Sequence, residues 1–204
     1  MIQKEKLDMR DLSSQLFWLS KNSKIRIVIG GPKNSGKSVF TTHFELELEN
    51  IGKNSYHYDY DPFSPSKLLI RGIITEAERE QMKKTVTVVQ AKKIANKFFS
   101  YSKDYDIVVG DLPGQITNVT KVLAEKGTHA IIVCNKDHEN EIGDWETFFK
   151  KLRLPIICII KTNLNGSEHV DPSDLMNIEL SNLERERSHA EITHNIRVLA
   201  EILF

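Results

Sequence analysis

The chain has 204 residues, and its 28 Lys and Arg side chains balance its 28 Asp and Glu side chains, so the formal net charge at pH 7 is zero. Without a global positive field, contact with a nucleic acid would need a local basic patch. No apolar run is long enough to span a bilayer and no signal-peptide pattern follows Met1, so we expect a cytoplasmic protein without a membrane contact. The length suits one α/β domain over residues 1–204.

Residues 1–23 are a charged lead-in that ends in a short apolar repeat. Leu12, Leu16 and Leu19 recur at helical spacing, which predicts a short helix packed beside the first strand. A core or edge position is favoured for Trp18 over stacking on a nucleotide base.

The cysteines and histidines favour structural roles over metal binding. Cys134 and Cys158 both fall in predicted buried strands, where they are expected to be reduced core thiols. The seven histidines show neither HxxxH nor HExxH spacing, so no dedicated zinc site is predicted.

The most informative stretch is a strand, a glycine-rich loop and a helix. Residues 25–29 are mostly apolar and β-branched, which predicts a strand buried on both faces of a parallel sheet. The sequence from Gly31 to Ser38 then fits G-x-x-x-x-G-K-[ST], and a helix is predicted over residues 37–50, ending at Gly52. With a strand before it and a helix after it, this motif predicts a phosphate-binding loop, or P-loop.

Each invariant position of the motif has a physical role in phosphate binding. Gly31 and Gly36 allow the backbone N–H groups to wrap the β-phosphate. Lys37 is expected to bind the β/γ-phosphate oxygens as the catalytic cation, and the Ser38 hydroxyl is the expected Mg²⁺ ligand. The candidate nucleotide-binding residues of the loop are Gly31, Pro32, Lys33, Asn34, Ser35, Gly36, Lys37, Ser38 and Val39.

A second strand, residues 55–60, is followed by two carboxylates. Asp59 and Asp61 should emerge near the P-loop, because ligands bind at the carboxyl ends of parallel strands. There, one of them is a candidate general base for an attacking hydroxyl or an outer Mg²⁺ ligand. The alternative is structural, since an Asp that ends a strand often caps the next helix.

These two motifs resemble those of known families. GPKNSGKS followed by a strand ending D-x-D-P-x-x-P resembles the polynucleotide 5′-hydroxyl kinases of RNA processing, which implies ATP- and Mg²⁺-dependent transfer to a hydroxyl such as an RNA 5′ end. The GGP-x-x-SGKSVF loop, a D-x-x-G-like segment and a later W-x-x-F helix, here residues 145–148, are similar to the P-loop module attached to a CRISPR-associated ring nuclease.

The following crossover, residues 66–105, is predicted to be helical. A capping box at Thr75 and Glu78 opens a helix to about residue 84, and a second helix over residues 88–102 is expected to bury Ala91, Ala95 and Phe98. A solvated helix face is favoured over a lid or docking surface for the local basic residues Lys83, Lys84, Lys92, Lys93 and Lys97.

The third strand, residues 106–110, leads into the segment from Asp111 to Gly114. An Asp in this place is the usual second partner of the nucleotide's Mg²⁺ beside Ser38, and the Gly114 N–H is expected to meet the γ-phosphate. Leu112 stands where motor-type ATPases carry a catalytic Glu, which favours the kinase-GTPase division of P-loop NTPases.

The rest of the chain predicts three further strands and the site of the base. The predicted strands are residues 129–134, 155–160 and 177–183. Helices are predicted before the first of them (117–126), between the first two (144–152) and after the last (188–203). A surface turn is predicted at Asn135-Lys136-Asp137, Asp144 is expected to cap its helix, and Arg185 and Arg187 to pair with neighbouring Glu residues. Lys161 is placed to cover the base, whereas Asn163 replaces the carboxylate that guanine needs, so GTP selectivity is not expected.

Together these patterns predict a three-layer α/β P-loop NTPase fold with a mostly parallel five- or six-stranded sheet in the order 2-3-1-4-5. The leading functional hypothesis is a Mg²⁺- and ATP-dependent phosphotransferase acting on a hydroxyl acceptor, with GTP as the second candidate nucleotide. The alternative is a nucleotide-dependent switch that signals to a protein partner through residues 111–114, and the third possibility is a module that only binds its ligand.

Overall fold

The computed structural model describes residues 24–60, 66–82, 85–163, 168–181, 183 and 189–204. Several sequence predictions fall outside these residues: the helix near residues 12–19 with Trp18, and the side chains of Asp61, Lys83, Lys84, Arg185 and Arg187.

Within the described residues, six strands form one sheet in the order β2-β3-β1-β4-β5-β6, and every neighbouring pair is parallel. The strands are β1 (Ile25–Gly30), β2 (Ser55–Asp59), β3 (Ile107–Asp111), β4 (His129–Asn135), β5 (Ile156–Asn163) and β6 (Ile178–Ser181). The predicted order 2-3-1-4-5 is confirmed, and the sixth strand lies at the edge beside β5. Since all strands run the same way, their carboxyl ends meet at one edge of the sheet, where ligands of such folds bind.

Helices cover both faces of the sheet. They are α1 (Lys37–Asn50), α2 (Ser66–Ile70), α3 (Glu76–Met82), α4 (Val88–Tyr101), α5 (Asn118–Ala124), α6 (Ile142–Lys151) and α7 (His189–Leu203), and a 3₁₀ helix (Lys136–Glu141) precedes α6. The predicted three-layer arrangement is therefore confirmed.

The alternation of side chains along β1 divides the core into two layers. Ile27 and Ile29 point to the face covered by α1 and α7, where they pack in one cluster with Phe40 and Phe44. Val28 points to the opposite face and belongs to the cluster formed with α4, α5 and α6. Each fully buried side chain of this size contributes about 1.5–3 kcal/mol to stability, so β1 is held firmly in the middle of the molecule.

The caps of α3 and α4 show how local sequence sets helix starts. In the predicted capping box, Glu78 accepts a hydrogen bond from the Thr75 backbone N–H at 2.7 Å, and Thr75 accepts one from the Glu78 N–H at 3.3 Å. A second box at Thr87 and Gln90 opens α4 in the same way. The predicted burial of Ala91, Ala95 and Phe98 on α4 is confirmed.

Three local predictions were incomplete or wrong. The sequence did not reveal α2, because five residues are too few for an apolar repeat to be visible. Asp144 is not a cap: α6 begins at Ile142, and Asp144 lies in its first turn, where its charge favours the helix dipole. β5 continues to Asn163, beyond the predicted end, because β6 pairs with Ile160–Asn163.

Candidate functional site

The P-loop between β1 and α1 has the strained backbone that phosphate binding requires. Gly31, Asn34 and Gly36 all have positive φ, at 142°, 56° and 77°. A Cβ on Gly31 would lie 1.8 Å from the Val133 carbonyl oxygen of β4, so only glycine fits there. The motif glycines thus let the loop turn tightly against the end of a neighbouring strand.

Lys37 is the most confined charge of the loop. Its side chain is 7% exposed, and its Nζ donates to the Pro32 carbonyl oxygen at 2.5 Å and to Ser35 Oγ at 3.3 Å. Burial lowers the pKa of Lys37, and the nearby Asp111 carboxylate acts in the opposite direction. The ammonium group therefore lies inside the curve of the loop, beside the backbone N–H groups that are predicted to bind phosphate.

Ser38 and Asp111 are joined directly. The Ser38 hydroxyl donates to Asp111 Oδ2 at 2.5 Å, and the Asp111 side chain is 8% exposed at the end of β3. Parallel pairing places Asp111 beside Ile29 of β1, two residues before Gly31, where the loop begins. A hydroxyl and a carboxylate oxygen in contact are the donors that Mg²⁺ prefers, so these two residues fit the predicted metal.

Gly114 touches the P-loop from the other side. A Cβ on Gly114 would lie 2.7 Å from the Lys33 backbone nitrogen and 2.8 Å from its Cα. The segment from Asp111 to Gly114 therefore contacts the loop at both of its ends, at Ser38 and at Lys33. Between them, Leu112 is 1% exposed and packs in the core.

Two polar residues that the sequence analysis did not assign to the site hold the loop in place. Thr162 of β5 donates from its hydroxyl to the Ser35 carbonyl oxygen at 3.0 Å, and Asn135 of β4 donates from its amide to the Asn34 carbonyl oxygen at 3.3 Å. Asn135 thus ends its strand beside the loop, not in the predicted surface turn, while Lys136 and Asp137 begin the 3₁₀ helix. Their only signal in the sequence was a polar residue at the end of a buried strand.

A cavity of about 260 Å³ opens along the loop. It is lined by Asn34, Ser35, Gly36, Lys37, Ser38, Val39 and Leu183. Leu183, which follows β6, packs so closely that a Cβ on Gly36 would lie 3.2 Å from its own Cβ. Six of the nine predicted loop residues, those from Asn34 to Val39, thus border one space, and Leu183 adds an apolar wall that the sequence did not reveal.

Asp59 holds the start of the next helix, as the structural alternative to its general-base role predicts. Its Oδ2 accepts a hydrogen bond from the Lys67 backbone N–H, in the first turn of α2, at 3.3 Å. The Lys67 ammonium group in turn pairs with the buried Glu45 at 2.9 Å. The general-base role of Asp59 stays a prediction, as does that of Asp61, which lies outside the described residues.

The predicted base-side residues lie in β5. Lys161 is half-buried with its Nζ 3.8 Å from Glu139, and Asn163 is the last residue of the strand.

On α4, the described lysines Lys92, Lys93 and Lys97 are exposed, in agreement with a solvated face. Cys134 and Cys158 are buried free thiols, and burial raises the pKa of Cys134 to about 11.

Among the described residues, no group of three or more His, Cys, Asp or Glu side chains is placed to hold a metal ion. No helix among them combines the length and apolar character that crossing a membrane would need.

Comparison with solved structures identifies the fold. The septum site-determining protein MinD of Pyrococcus horikoshii OT3, solved with Mg-ADP, is 17% identical over 87% of this chain and 94% of its own, with a TM-score of 0.61. The cell division ATPase MinD of Pyrococcus furiosus is 14% identical over 89% and 98%, with a TM-score of 0.63. The chain has the P-loop NTPase fold.

A third P-loop NTPase structure is more distant. Cobyrinic acid a,c-diamide synthase of Mycobacterium smegmatis, solved with an ATP analogue and magnesium, is 12% identical over 68% of this chain and 75% of its own, with a TM-score of 0.51. None of these three proteins is a polynucleotide kinase or a CRISPR-associated module, so the comparisons support the fold but not those finer resemblances. No protein-family model matches the sequence, and a sequence comparison with curated proteins gives no match.

Proposed function

We propose that this protein is a Mg²⁺-dependent ATPase that works as a nucleotide-dependent switch. The observation that carries the proposal is the double contact of residues 111–114 with the P-loop, through Ser38 at one end and Lys33 at the other. A segment held at both ends by the phosphate loop will change its position when the terminal phosphate is bound or lost.

The residues of the site have three proposed roles: binding the phosphates, binding Mg²⁺ and sensing the terminal phosphate. The loop N–H groups and Lys37 hold the phosphates. The Lys37 ammonium group has three N–H donors; two are directed at Pro32 and Ser35, and the third serves a phosphate oxygen. Ser38 and Asp111 would hold Mg²⁺, which when bound neutralises charge on the phosphate oxygens. The Gly114 N–H contributes the donor that distinguishes a triphosphate from a diphosphate.

ATP is the proposed nucleotide, with GTP as the alternative. Guanine recognition needs a carboxylate that accepts two N–H groups, and the end of β5 carries Asn163 instead. The two MinD structures come from proteins described as binding Mg-ADP or as an ATPase, which agrees with an adenine nucleotide.

The segment after Gly114 is open to a protein partner. Ile116 is 43% exposed, and a groove of about 420 Å³ runs beside it. The groove is lined by Gly114, Gln115, Ile116 and Thr117 on one side and by Glu141, Asp144 and Trp145 on the other. If Gly114 moves, the lining of this exposed groove changes, and a protein bound there can detect the movement while the sheet stays as it is.

The test supplies γ-labelled ATP and Mg²⁺, with and without 5′-hydroxyl RNA, 5′-hydroxyl DNA and a panel of small hydroxyl metabolites. We expect slow release of labelled phosphate that is independent of the acceptor. If labelled phosphate appears in an acceptor, the switch hypothesis is wrong, and the protein is a phosphotransferase with Asp59 or Asp61 as the candidate general base. The absence of ATP and GTP binding in calorimetry would overturn both functions.

A further inference from the structure

We propose that Thr162 is a positioning residue for the phosphate-binding lysine, and that β5 thereby couples the base end of the site to its phosphate end. The inference rests on the proposed function, because it concerns the same nucleotide site. The observation behind it is a chain of contacts that runs from Thr162 through Ser35 to Lys37.

Both contacts of this chain are shielded from solvent. The Thr162 hydroxyl donates to the Ser35 carbonyl oxygen at 3.0 Å, with Thr162 6% and Ser35 1% exposed. Ser35 Oγ then accepts a hydrogen bond from Lys37 Nζ at 3.3 Å. Thr162 therefore fixes the backbone of the residue whose side chain holds the Lys37 ammonium group.

Ser35 needs such an anchor because Asn34 before it is in an unfavourable backbone conformation and the chain turns at Gly36 after it. Asn34 before it and Gly36 after it both have positive φ, at 56° and 77°. A non-glycine residue in the left-handed region, such as Asn34, persists only where the surroundings fix it. A hydrogen bond to the carbonyl group between them is well placed to hold the loop in its binding shape.

Thr162 is itself held rigidly. It lies in β5 with pairing on both sides, opposite Asn135 of β4 and Leu180 of β6. Its chain neighbours are Lys161, which is predicted to cover the base, and Asn163, which stands where a carboxylate would select guanine. One strand therefore carries the base-side residues and, between them, the donor that shapes the loop around the phosphates.

Loss of the hydroxyl should weaken phosphate binding more than it weakens the fold. Thr162→Val keeps the shape of the side chain and its strand preference but removes the donor. We expect affinity for ATP and ADP at 25 °C to fall about fivefold, the usual effect of one hydrogen bond. Thr162→Ser keeps the hydroxyl and should bind within twofold of the wild type.

The experiment measures ATP and ADP affinity by calorimetry, with thermal stability recorded for each variant. Thr128→Val is the matched control, because Thr128 also donates to a backbone carbonyl, that of Arg26 at 3.0 Å, but before β4 at the opposite edge of the sheet. The control should lose stability without losing affinity. Should Thr162→Val fail to fold, Thr162→Ala removes the same hydroxyl and carries the same expectation.

A double-mutant cycle with Ser35→Ala tests the route through Ser35. If Thr162 acts on Lys37 through the Ser35 side chain, the two changes together should weaken ATP binding by less than the product of their separate effects. Wild-type affinity in Thr162→Val, with the wild type itself binding ATP, would overturn this inference and leave the proposed function intact. A wild type that binds neither nucleotide would instead overturn the proposed function.

Discussion

Asp111 and Asp59 occupy equivalent places in the sheet but make different contacts. Each is the last residue of its strand, and the two are paired across β3 and β2. Asp111 accepts the Ser38 hydroxyl of the P-loop at 2.5 Å, whereas Asp59 accepts the Lys67 backbone N–H of α2 at 3.3 Å. The difference teaches that the partner of a strand-end carboxylate is set by the element packed beside it, not by its own sequence context.

The largest expected effect tests the P-loop side of this comparison. Lys37→Ala should abolish ATP binding, because no other described side chain of the loop places a buried ammonium group there. Thermal stability should change little, since the lost hydrogen bonds of Lys37 are offset by relief of its burial. Calorimetry with ATP and GTP measures the first effect, and exposed Lys92→Ala on α4 is the control. Normal affinity in Lys37→Ala would end the P-loop interpretation.

The second effect tests Asp111 itself. Asp111→Asn keeps an oxygen that accepts the Ser38 hydroxyl but removes the negative charge. We expect the gain in ATP affinity on adding Mg²⁺ to fall about tenfold or more, as for other residues that support a metal. Titrations with Mg²⁺ and with EDTA separate this from a general loss of binding, and an unchanged response to Mg²⁺ would remove Asp111 from the metal site.

The corresponding substitution on β2, Asp59→Asn, should lower the stability of the fold and leave nucleotide binding nearly unchanged. Asp59→Asn weakens the contact with Lys67, and we expect a loss of about 1 kcal/mol in the free energy of unfolding, with ATP hydrolysis nearly unchanged. Chemical denaturation and phosphate release measure the two quantities. A ~10²–10⁴-fold fall in phosphoryl transfer, with nucleotide affinity retained, would show that Asp59 is a general base and would erase the contrast with Asp111.

The smallest expected effect concerns the base. Because Asn163 stands where a carboxylate would select guanine, binding should not favour GTP over ATP. Parallel titrations of the wild type decide the matter. GTP binding at least tenfold tighter, about 1.4 kcal/mol, would make GTP the nucleotide of the proposed switch.

Local patterns accounted for much of the fold. The apolar run of β1 and the start and end of α1 were predicted closely, because alternation, glycine and capping residues act over a few positions. The P-loop motif also placed Ser38 and Asp111 as partners, since the motif fixes which strand end lies beside it. The short helix α2 and the start of α6 were missed, because their positions depend on packing rather than on a periodic pattern.

By itself the sequence predicted the glycine-rich loop between β1 and α1, the order of the first five strands and the identity of the charged groups around the loop. Only the tertiary structure showed which carbonyl groups of the loop accept hydrogen bonds from Thr162 and Asn135. It also showed that Asp59 holds the start of α2 and that Leu183 lines the cavity. The physical reason is distance along the chain: residues far apart in sequence meet only when parallel strands bring their carboxyl ends to one edge of the sheet.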